Sequence, residues 1–143
     1  MNKKYKIGYT TGSFDLFHIG HLNILKKAKQ FCDFLIVGVS TDELVSSYKN
    51  KKVFIPFEER IEIVNNIEGV DFVVAQENMR KMDAWNKHRF NVIFVGSDWK
   101  GTEKWNEYEK QFRKVGVEII YFPYTSGTSS TKLREVIEKF NRS

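Results

Sequence analysis

Five short apolar runs alternate with helical patterns along the whole chain, and this alternation constrains the fold more than any other feature. The runs are rich in Val, Ile, Phe and Tyr, which are typical of buried strands. They are Tyr5–Tyr9, Phe34–Val39, Asp71–Ala75, Val92–Val95 and Glu118–Phe122. Strands separated by helices form parallel βαβ units. We therefore expect an α/β fold, a doubly wound, Rossmann-like parallel five-stranded sheet with helices on both faces.

The segments between these runs carry apolar residues at helical spacing. The stripes are Leu22, Leu25 and Ala28; Ile61, Val64 and Ile67; and Trp105, Tyr108 and Phe112. The pattern also predicts a last helix from about Ser130 to Phe140, with Leu133, Val136, Ile137 and Phe140 facing inward. No linker, repeat or low-complexity tract interrupts the 143 residues, which predicts a single domain over residues 1–143.

Composition excludes several classes of protein. The apolar fraction of 41% and the charged fraction of 29% are ordinary for a soluble globular domain. No apolar run reaches the length of a signal peptide or a membrane span, so we expect a cytoplasmic protein with no membrane partner. The single cysteine, Cys32, rules out an internal disulfide and is expected to be a buried packing residue. The net charge of +5 suits a polyanionic ligand. Because no nucleic-acid motif accompanies it, we expect a nucleotide rather than nucleic acid.

Two histidines, His18 and His21, stand where the first strand turns into a helix. Residues three positions apart share one face of a helix, so both imidazoles can reach the same spot. A helix N-terminus has unpaired N–H groups and the positive end of the dipole, which together attract anions. Gly12 has no side chain, so a phosphate can approach the backbone there. This arrangement points to chemistry at a phosphorus atom.

A second anion site is predicted after the fifth strand, where a Ser- and Thr-rich segment opens the last helix. Ser129 or Ser130 is a natural N-cap, and spare hydroxyl and N–H groups of the first turn can hold phosphate oxygens. Lys132 and Arg134 add positive charge nearby. Helix capping alone would also explain the hydroxyls. Two helix N-termini at one sheet edge, however, are the arrangement that a triphosphate needs.

The segment Gly12–His21 together with Thr128–Arg134 resembles the HxGH nucleotidyltransferase superfamily. Supporting matches are Val39–Glu43, Glu58–Arg60 and Val95–Trp99. Asp98, Trp99 and the chain length narrow the resemblance to the cytidylyltransferase branch, and within it to the small bacterial glycerol-3-phosphate cytidylyltransferases. The likeness extends from Tyr9 to Arg134.

The resemblance implies that CTP and a phosphorylated alcohol, first of all glycerol 3-phosphate, give a CDP-alcohol and pyrophosphate. The acceptor phosphate would attack the α-phosphorus in line, without a covalent enzyme intermediate, and CDP-glycerol would feed teichoic-acid or capsule assembly. Mg²⁺ is expected on the triphosphate, with no protein metal site, and a homodimer is implied. The implied catalytic residues are His18, His21, Lys49 and Lys51. The implied nucleotide contacts are Thr11, Gly12, Ser13, Phe14, Arg60, Asp98, Trp99, Thr128, Ser129, Ser130, Thr131 and Arg134.

Three single residues carry further expectations. Asp15 is expected to orient its neighbours rather than to bind metal. Tyr124 stands where the related enzymes commonly have an arginine, and Ser130 where threonine is usual. The acceptor therefore stays open between glycerol 3-phosphate and phosphocholine, phosphoethanolamine or ribitol phosphate. An ATP-using adenylyltransferase and a catalytically silent nucleotide-binding regulator also stay open, although the intact histidine pair argues against the regulator.

Overall fold

The computed structural model describes residues 4–49, 52–123 and 130–142. Within them the chain forms alternating strands and helices, with a short 3₁₀ turn at Ser97–Trp99. In chain order these are β1 (Tyr5–Gly12), α1 (Ile19–Phe31), β2 (Cys32–Ser40), α2 (Asp42–Lys49), α3 (Phe57–Asn65), β3 (Phe72–Gln76), α4 (Lys81–His88), β4 (Val92–Gly96), α5 (Glu103–Lys114), β5 (Glu118–Phe122) and α6 (Ser130–Arg142).

The five strands form one parallel sheet in the order β3-β2-β1-β4-β5. β1 is central: Gly8 lies opposite Leu35 of β2 on one side and opposite Val92 of β4 on the other. The chain first builds outward from β1 to β3 and then returns to β4, so the direction of winding reverses between β1 and β4. Ligands of such sheets bind beyond the carboxyl ends of the strands at this reversal. The predicted fold class is confirmed.

Helices α2 and α4, each of eight residues, are absent from the predicted pattern. Both are too short to display a repeated apolar stripe, and tertiary contacts hold them in place. β1 continues to Gly12, three residues beyond the predicted end at Tyr9. This extension places Thr11 inside the sheet rather than in a loop.

Two apolar layers cover the sheet. On one face, α1 and α3 pack Leu25, Ala28 and Val64 against the strands. On the other face, α4 and α5 cover Tyr9 and Ile36. Cys32 is completely buried, and its Sγ lies 3.4 Å from the carbonyl oxygen of Ala28, so its predicted packing role is confirmed.

The prediction that the whole apolar stripe of α6 faces inward is wrong. Leu133 and Ile137 are half-buried, whereas Val136 is 59% exposed and Phe140 is 80% exposed. The stripe is wider than the surface that the rest of the described chain offers to α6. No helix among the described residues is long and apolar enough to cross a bilayer.

Candidate active site

His18 and His21 cap the N-terminus of α1 reciprocally. His18 Nδ1 accepts a hydrogen bond from the backbone N–H of Gly20 at 3.0 Å. His21 Nδ1 accepts one from the backbone N–H of His18 at 3.2 Å. The two ring centroids are 4.0 Å apart. The fold therefore brings both imidazoles together at the helix terminus, beside the end of β1.

Nε2 is the ring nitrogen of each histidine that this capping does not use. Since Nδ1 accepts from the backbone, a neutral ring carries its proton on Nε2 and donates from there. Burial lowers the pKa of His18 below its usual value, which favours the neutral ring. Two N–H donors side by side at the positive end of a helix dipole can hold phosphoryl oxygens.

The loop that carries the histidines is strained and well packed. Phe14 and Leu16 have φ values of 54° and 51°, in the left-handed region that costs non-glycine residues about 1–3 kcal/mol each. The ring of Phe14 is only 5% exposed and meets His21 edge-on at 5.4 Å, while Phe17 lies 5.2 Å from the same imidazole. The side chain of Phe14 is therefore part of the core and supports His21, and its predicted nucleotide contact stays a prediction.

Asp15 ties this loop to the segment before α3. Its carboxylate is 2% exposed and accepts hydrogen bonds from the backbone N–H groups of Phe54 and Ile55, both at 2.9 Å. Arg134 of α6 donates to the same carboxylate at 2.8 Å. Two of these contacts orient the backbone and the third orients Arg134, in agreement with the orienting role expected for Asp15.

Arg60 is predicted to contact a nucleotide or acceptor phosphate, and the structure shows its guanidinium bonded within the protein. The residue is 1% exposed, and four N–H groups of its guanidinium donate within the protein. The acceptors are Ile55 O at 2.8 Å, Ser13 O at 2.6 Å, Ser40 O at 2.7 Å and Asp42 Oδ1 at 2.6 Å. The sequence signal was a basic residue beside acidic ones, and only the fold shows that its charge is used to join the ends of β1 and β2.

Arg134 and Ser130 fasten α6 to the same loop. Arg134 also donates to the carbonyl of Lys52 at 2.9 Å and lies 4.6 Å from the centroid of the Phe54 ring. The hydroxyl of Ser130 donates to the carbonyl of Asp15 at 2.7 Å. Both side chains were predicted to bind phosphate, whereas the structure uses them as ties within the protein. We call Asp15, Arg60 and Arg134 the anchor residues.

Lys81 is a candidate site residue that no sequence motif indicated. It is the first residue of α4 and is 5% exposed, and its Nζ donates to Thr11 Oγ1 at 3.0 Å. Burial, helped by the charge of Lys104, lowers the pKa of Lys81 to about 8. Within the described ranges this buried ammonium bonds one neutral hydroxyl and has no counter-charge. Its place near the carboxyl end of β1 suits a phosphate.

Asp98 and Trp99 follow β4, the strand that neighbours β1 at the reversal of winding. Trp99 is 48% exposed, so its indole is available for stacking. Asp98 folds back over Gly96, where an added Cβ would lie 2.7 Å from Oδ1 of Asp98. Both predicted residues are therefore at the correct edge of the sheet.

The remaining predicted residues are placed only in part. Gly12 ends β1, and Ser13 follows it half-buried, with its carbonyl held by Arg60. Thr131 is exposed on the first turn of α6. Lys51, Tyr124, Thr128, Ser129 and the side chain of Lys49 lie outside the described residues. Within the described ranges, no three His, Cys, Asp or Glu side chains converge as a metal site would require.

Known proteins share both the sequence and the fold. The family model described as cytidylyltransferase-like matches residues 9–136. A glycerol-3-phosphate cytidylyltransferase of Bacillus subtilis is 38% identical over 130 residues, which cover 90% of this chain and 94% of that protein. An FAD synthase of Thermococcus sibiricus is 30% identical over 97% of this chain and 95% of its own. The crystal structure of a lipopolysaccharide core biosynthesis protein from Thermoplasma volcanium superposes with a TM-score of 0.70 at 22% identity, over 87% of this chain and 99% of that chain.

The chain belongs to the cytidylyltransferase-like family of nucleotidyltransferases. The family model begins at Tyr9 and ends within α6, so it covers the second half of β1, the strands β2 to β5, the histidine pair and the anchor residues. The Thermoplasma structure adds support for the fold only.

Proposed function

We propose that the protein is a glycerol-3-phosphate cytidylyltransferase, which makes CDP-glycerol and pyrophosphate from CTP and glycerol 3-phosphate. The observation that carries the proposal is the reciprocally capped pair His18 and His21 at the reversal of winding. The similarity to the Bacillus subtilis enzyme over nine-tenths of the chain supports the choice of substrates. The product is a donor for teichoic-acid or capsule assembly, and we assign the reaction to the cytoplasm.

In this reaction an oxygen of the acceptor phosphate forms a bond to the α-phosphorus of CTP. The bond from that phosphorus to the bridging oxygen breaks, and its electron pair leaves with pyrophosphate. Negative charge shifts towards the transferring and leaving oxygens, where the Nε2–H groups of His18 and His21 donate hydrogen bonds. No nucleophilic side chain is required, because positioning and charge stabilisation supply the catalysis.

Lys81 is proposed to bind the phosphate of the acceptor. A dianionic phosphate would supply the counter-charge that the buried ammonium lacks among the described residues, and it would raise the pKa of Lys81 again. Thr11 holds Nζ in place from β1, one residue before Gly12. The acceptor phosphate would thus lie beside the strand end where the α-phosphate is expected.

The other nucleotide contacts are proposals from family resemblance and position. Asp98 and Trp99 would hold the cytosine, with the exposed indole offering a stacking surface. Lys49 and Lys51 would neutralise phosphate charge. Thr128, Ser129 and Thr131 would hold the leaving pyrophosphate at the start of α6.

Mg²⁺ is proposed to enter with CTP and to be coordinated mainly by phosphate oxygens and water. The donor set of the protein fits this, because the Asp15 carboxylate is saturated by two N–H groups and a guanidinium. Mg²⁺ usually keeps several of its waters and binds to the phosphates of nucleotide substrates. When bound, the ion neutralises charge on the triphosphate.

A pyrophosphate-release panel tests the function. CTP, ATP, UTP and GTP are each combined with glycerol 3-phosphate, ribitol phosphate, phosphocholine and phosphoethanolamine. We expect the highest kcat/KM for CTP with glycerol 3-phosphate. Turnover only with another acceptor would refute the substrate assignment, turnover only with ATP would support the adenylyltransferase, and CTP binding without any turnover would support the regulator.

We also propose a homodimer, in line with the family resemblance. Phe34 and Phe72 lie on neighbouring strands at the β3 edge of the sheet, on the face of Ile36, and are 41% and 49% exposed. Exposed aromatic rings at an open sheet edge are unfavourable in a monomer, and such a surface is typical of a protein–protein interface. Light scattering should give twice the 16.8 kDa chain mass, and Phe72→Lys should give the monomer. Val136→Lys on α6 is the control and should leave the dimer intact.

A further inference from the structure

The hydroxyl of Tyr9 is a polar group that the proposed reaction does not yet use. Tyr9 lies in β1, is 2% exposed, and stacks its ring on Phe90 at 4.7 Å between centroids. Among the described residues this hydroxyl has no hydrogen-bond partner, and burial alone raises the pKa of Tyr9 to about 12. Leaving such a group unpaired is unfavourable by about 1–3 kcal/mol, so it calls for a ligand or a water.

The hydroxyl is not sealed inside the core. In the described part of the chain, every fully buried side-chain N or O atom has a hydrogen-bond partner. Because the Tyr9 hydroxyl has none there, its oxygen must retain a small opening to the outside. The ring is therefore held by the core while the oxygen at its tip can meet a bound molecule.

Gly38 of β2 makes room for this hydroxyl and shows what surrounds it. A Cβ added at Gly38 would lie 2.8 Å from Oη of Tyr9 and 3.0 Å from Cγ2 of Thr11. The Tyr9 hydroxyl and the Thr11 side chain are therefore neighbours above Gly38. The Thr11 side chain therefore links the two groups, since its Cγ2 faces the same point above Gly38 as the Tyr9 hydroxyl and its Oγ1 accepts from Lys81.

A cavity of about 230 Å³ opens from Tyr9 towards β3 and α4. Its lining includes Val74 and Gln76 from β3, Asn78 from the following turn, and Asp83 from α4. The formal charges around it cancel, since Glu77 and Asp83 are matched by Arg80 and Lys87, and burial, with the charge of Lys87, lowers the pKa of His88. An uncharged, hydroxyl-bearing group suits this lining better than a second phosphate does.

We propose that this cavity holds the hydroxyl-bearing carbon chain of the acceptor, with the Tyr9 hydroxyl as its specificity-determining contact. The inference rests on the proposed function, in which Lys81 binds the acceptor phosphate. In this arrangement the phosphate would bind Lys81, and the attached three-carbon chain would extend past Thr11 towards the Tyr9 hydroxyl. That hydroxyl then gains a hydrogen-bond partner from the substrate, so recognition of the polyol satisfies a largely buried polar group.

The test pairs an enzyme hydroxyl with a substrate hydroxyl. The acceptors are glycerol 3-phosphate and its two deoxy analogues, propane-1,2-diol 1-phosphate and propane-1,3-diol phosphate, each at saturating CTP. The variants are Tyr9→Phe and, as a matched control, Tyr121→Phe, whose hydroxyl bonds Glu109 elsewhere on the sheet. We expect Tyr9→Phe to raise KM for glycerol 3-phosphate about fivefold to tenfold, the worth of a neutral hydrogen bond. KM for CTP should not change.

The deoxy analogues and the melting temperature discriminate further. In the wild-type enzyme, the analogue that lacks the bonded hydroxyl should have a higher KM than glycerol 3-phosphate. In Tyr9→Phe this difference should disappear, because neither partner of the hydrogen bond is then left unpaired. The free variant should melt at or above the wild-type temperature. Equal losses for all three acceptors, or a lower melting temperature with unchanged acceptor KM, would overturn the inference and assign the hydroxyl to a structural water. If the wild-type enzyme turns over glycerol 3-phosphate in these experiments, the inference alone is overturned and the proposed function stands. If the wild-type enzyme turns over no phosphorylated alcohol, the proposed function and the inference both fail.

Discussion

The histidine pair and the anchor residues meet at the same short loop, yet their polar groups are used in opposite ways. His18 and His21 each accept a backbone hydrogen bond at Nδ1, and in the proposed reaction they donate to the substrate from Nε2. Arg60 and Asp15 are almost completely buried and bond several groups of the protein. Charged residues near a phosphate site are therefore not all phosphate ligands. Those whose donors are already used determine where the loop lies, and partly open groups perform the chemistry.

The largest effect is expected from Arg60→Met, which removes an anchor without touching a ligand group. Three carbonyls and the Asp42 carboxylate lose their donor, and breaking a buried ionic network of this kind is unfavourable by about 3–5 kcal/mol. Urea unfolding should show the loss of stability. Arg80→Met, which removes an exposed ion pair, is the control and should lose less than about 1 kcal/mol. Normal stability with a raised KM for CTP would return Arg60 to the ligand-binding group.

The next effect is expected from the histidines. His18→Asn keeps a side-chain acceptor for the helix cap and loses the Nε2 donor. Turnover should fall about a hundredfold or more, as it should in His18→Ala and His21→Ala, with little change in melting temperature for the asparagine variant. Steady-state kinetics at saturating CTP and acceptor give kcat directly. If His18→Asn lost stability but kept near-normal kcat, the histidine pair would have a structural role like that of the anchor residues. The contrast between the histidine pair and the anchor residues would then disappear.

Lys81 should produce an intermediate effect that depends on pH. Its lowered pKa means that the free enzyme holds a charged ammonium below about pH 8 and loses it above. We expect kcat/KM for the acceptor to be flat between about pH 7 and 8, where the acceptor phosphate is dianionic, and to fall by up to about tenfold per unit above it. In Lys81→Arg, where the charge persists, this fall should vanish.

Lys81 should also affect stability, and in the opposite direction: activity should fall with rising pH, whereas the free energy of unfolding should rise. Folding depresses the pKa of Lys81 from its ordinary 10.5, so the unfolded chain binds more protons between about pH 8 and 10.5. The free energy of unfolding should therefore rise across that window in the wild type relative to Lys81→Met. A pH profile of stability parallel to that of Lys81→Met would contradict the buried position of the ammonium.

The smallest effect is expected on the exposed side of α6. Val136→Ser removes a side chain that is 59% exposed, so the free energy of unfolding should change by less than about 0.5 kcal/mol. Arg134→Ser, two residues earlier, breaks the tie to Asp15 and should be several times more damaging. Equal losses in denaturant unfolding would show that α6 is held by its apolar stripe and not by the anchor.

The regular parts of the fold could be predicted because their signals are local. Strands such as β4 and β5 are indicated by runs of apolar β-branched residues, and the histidine spacing on α1 is a property of any helix. Lys81 could not be found in this way, because nothing in its neighbours along the chain indicates that it reaches Thr11, seventy residues away. The internal bonds of Arg60 could not be predicted for the same reason, since its partners are carbonyl groups whose position depends on the packing of two strands.

The sequence by itself determined the α/β class, the parallel sheet, the family and the histidine pair, since periodicity and short motifs carry them. The tertiary structure decided which polar groups remain open. It buried Arg60 and Asp15 in internal bonds, brought a lysine to Thr11, and placed the Tyr9 hydroxyl over Gly38. Burial and hydrogen-bond satisfaction depend on residues far apart in the chain, so only the folded arrangement separates the groups that hold the loop from those that meet the substrate.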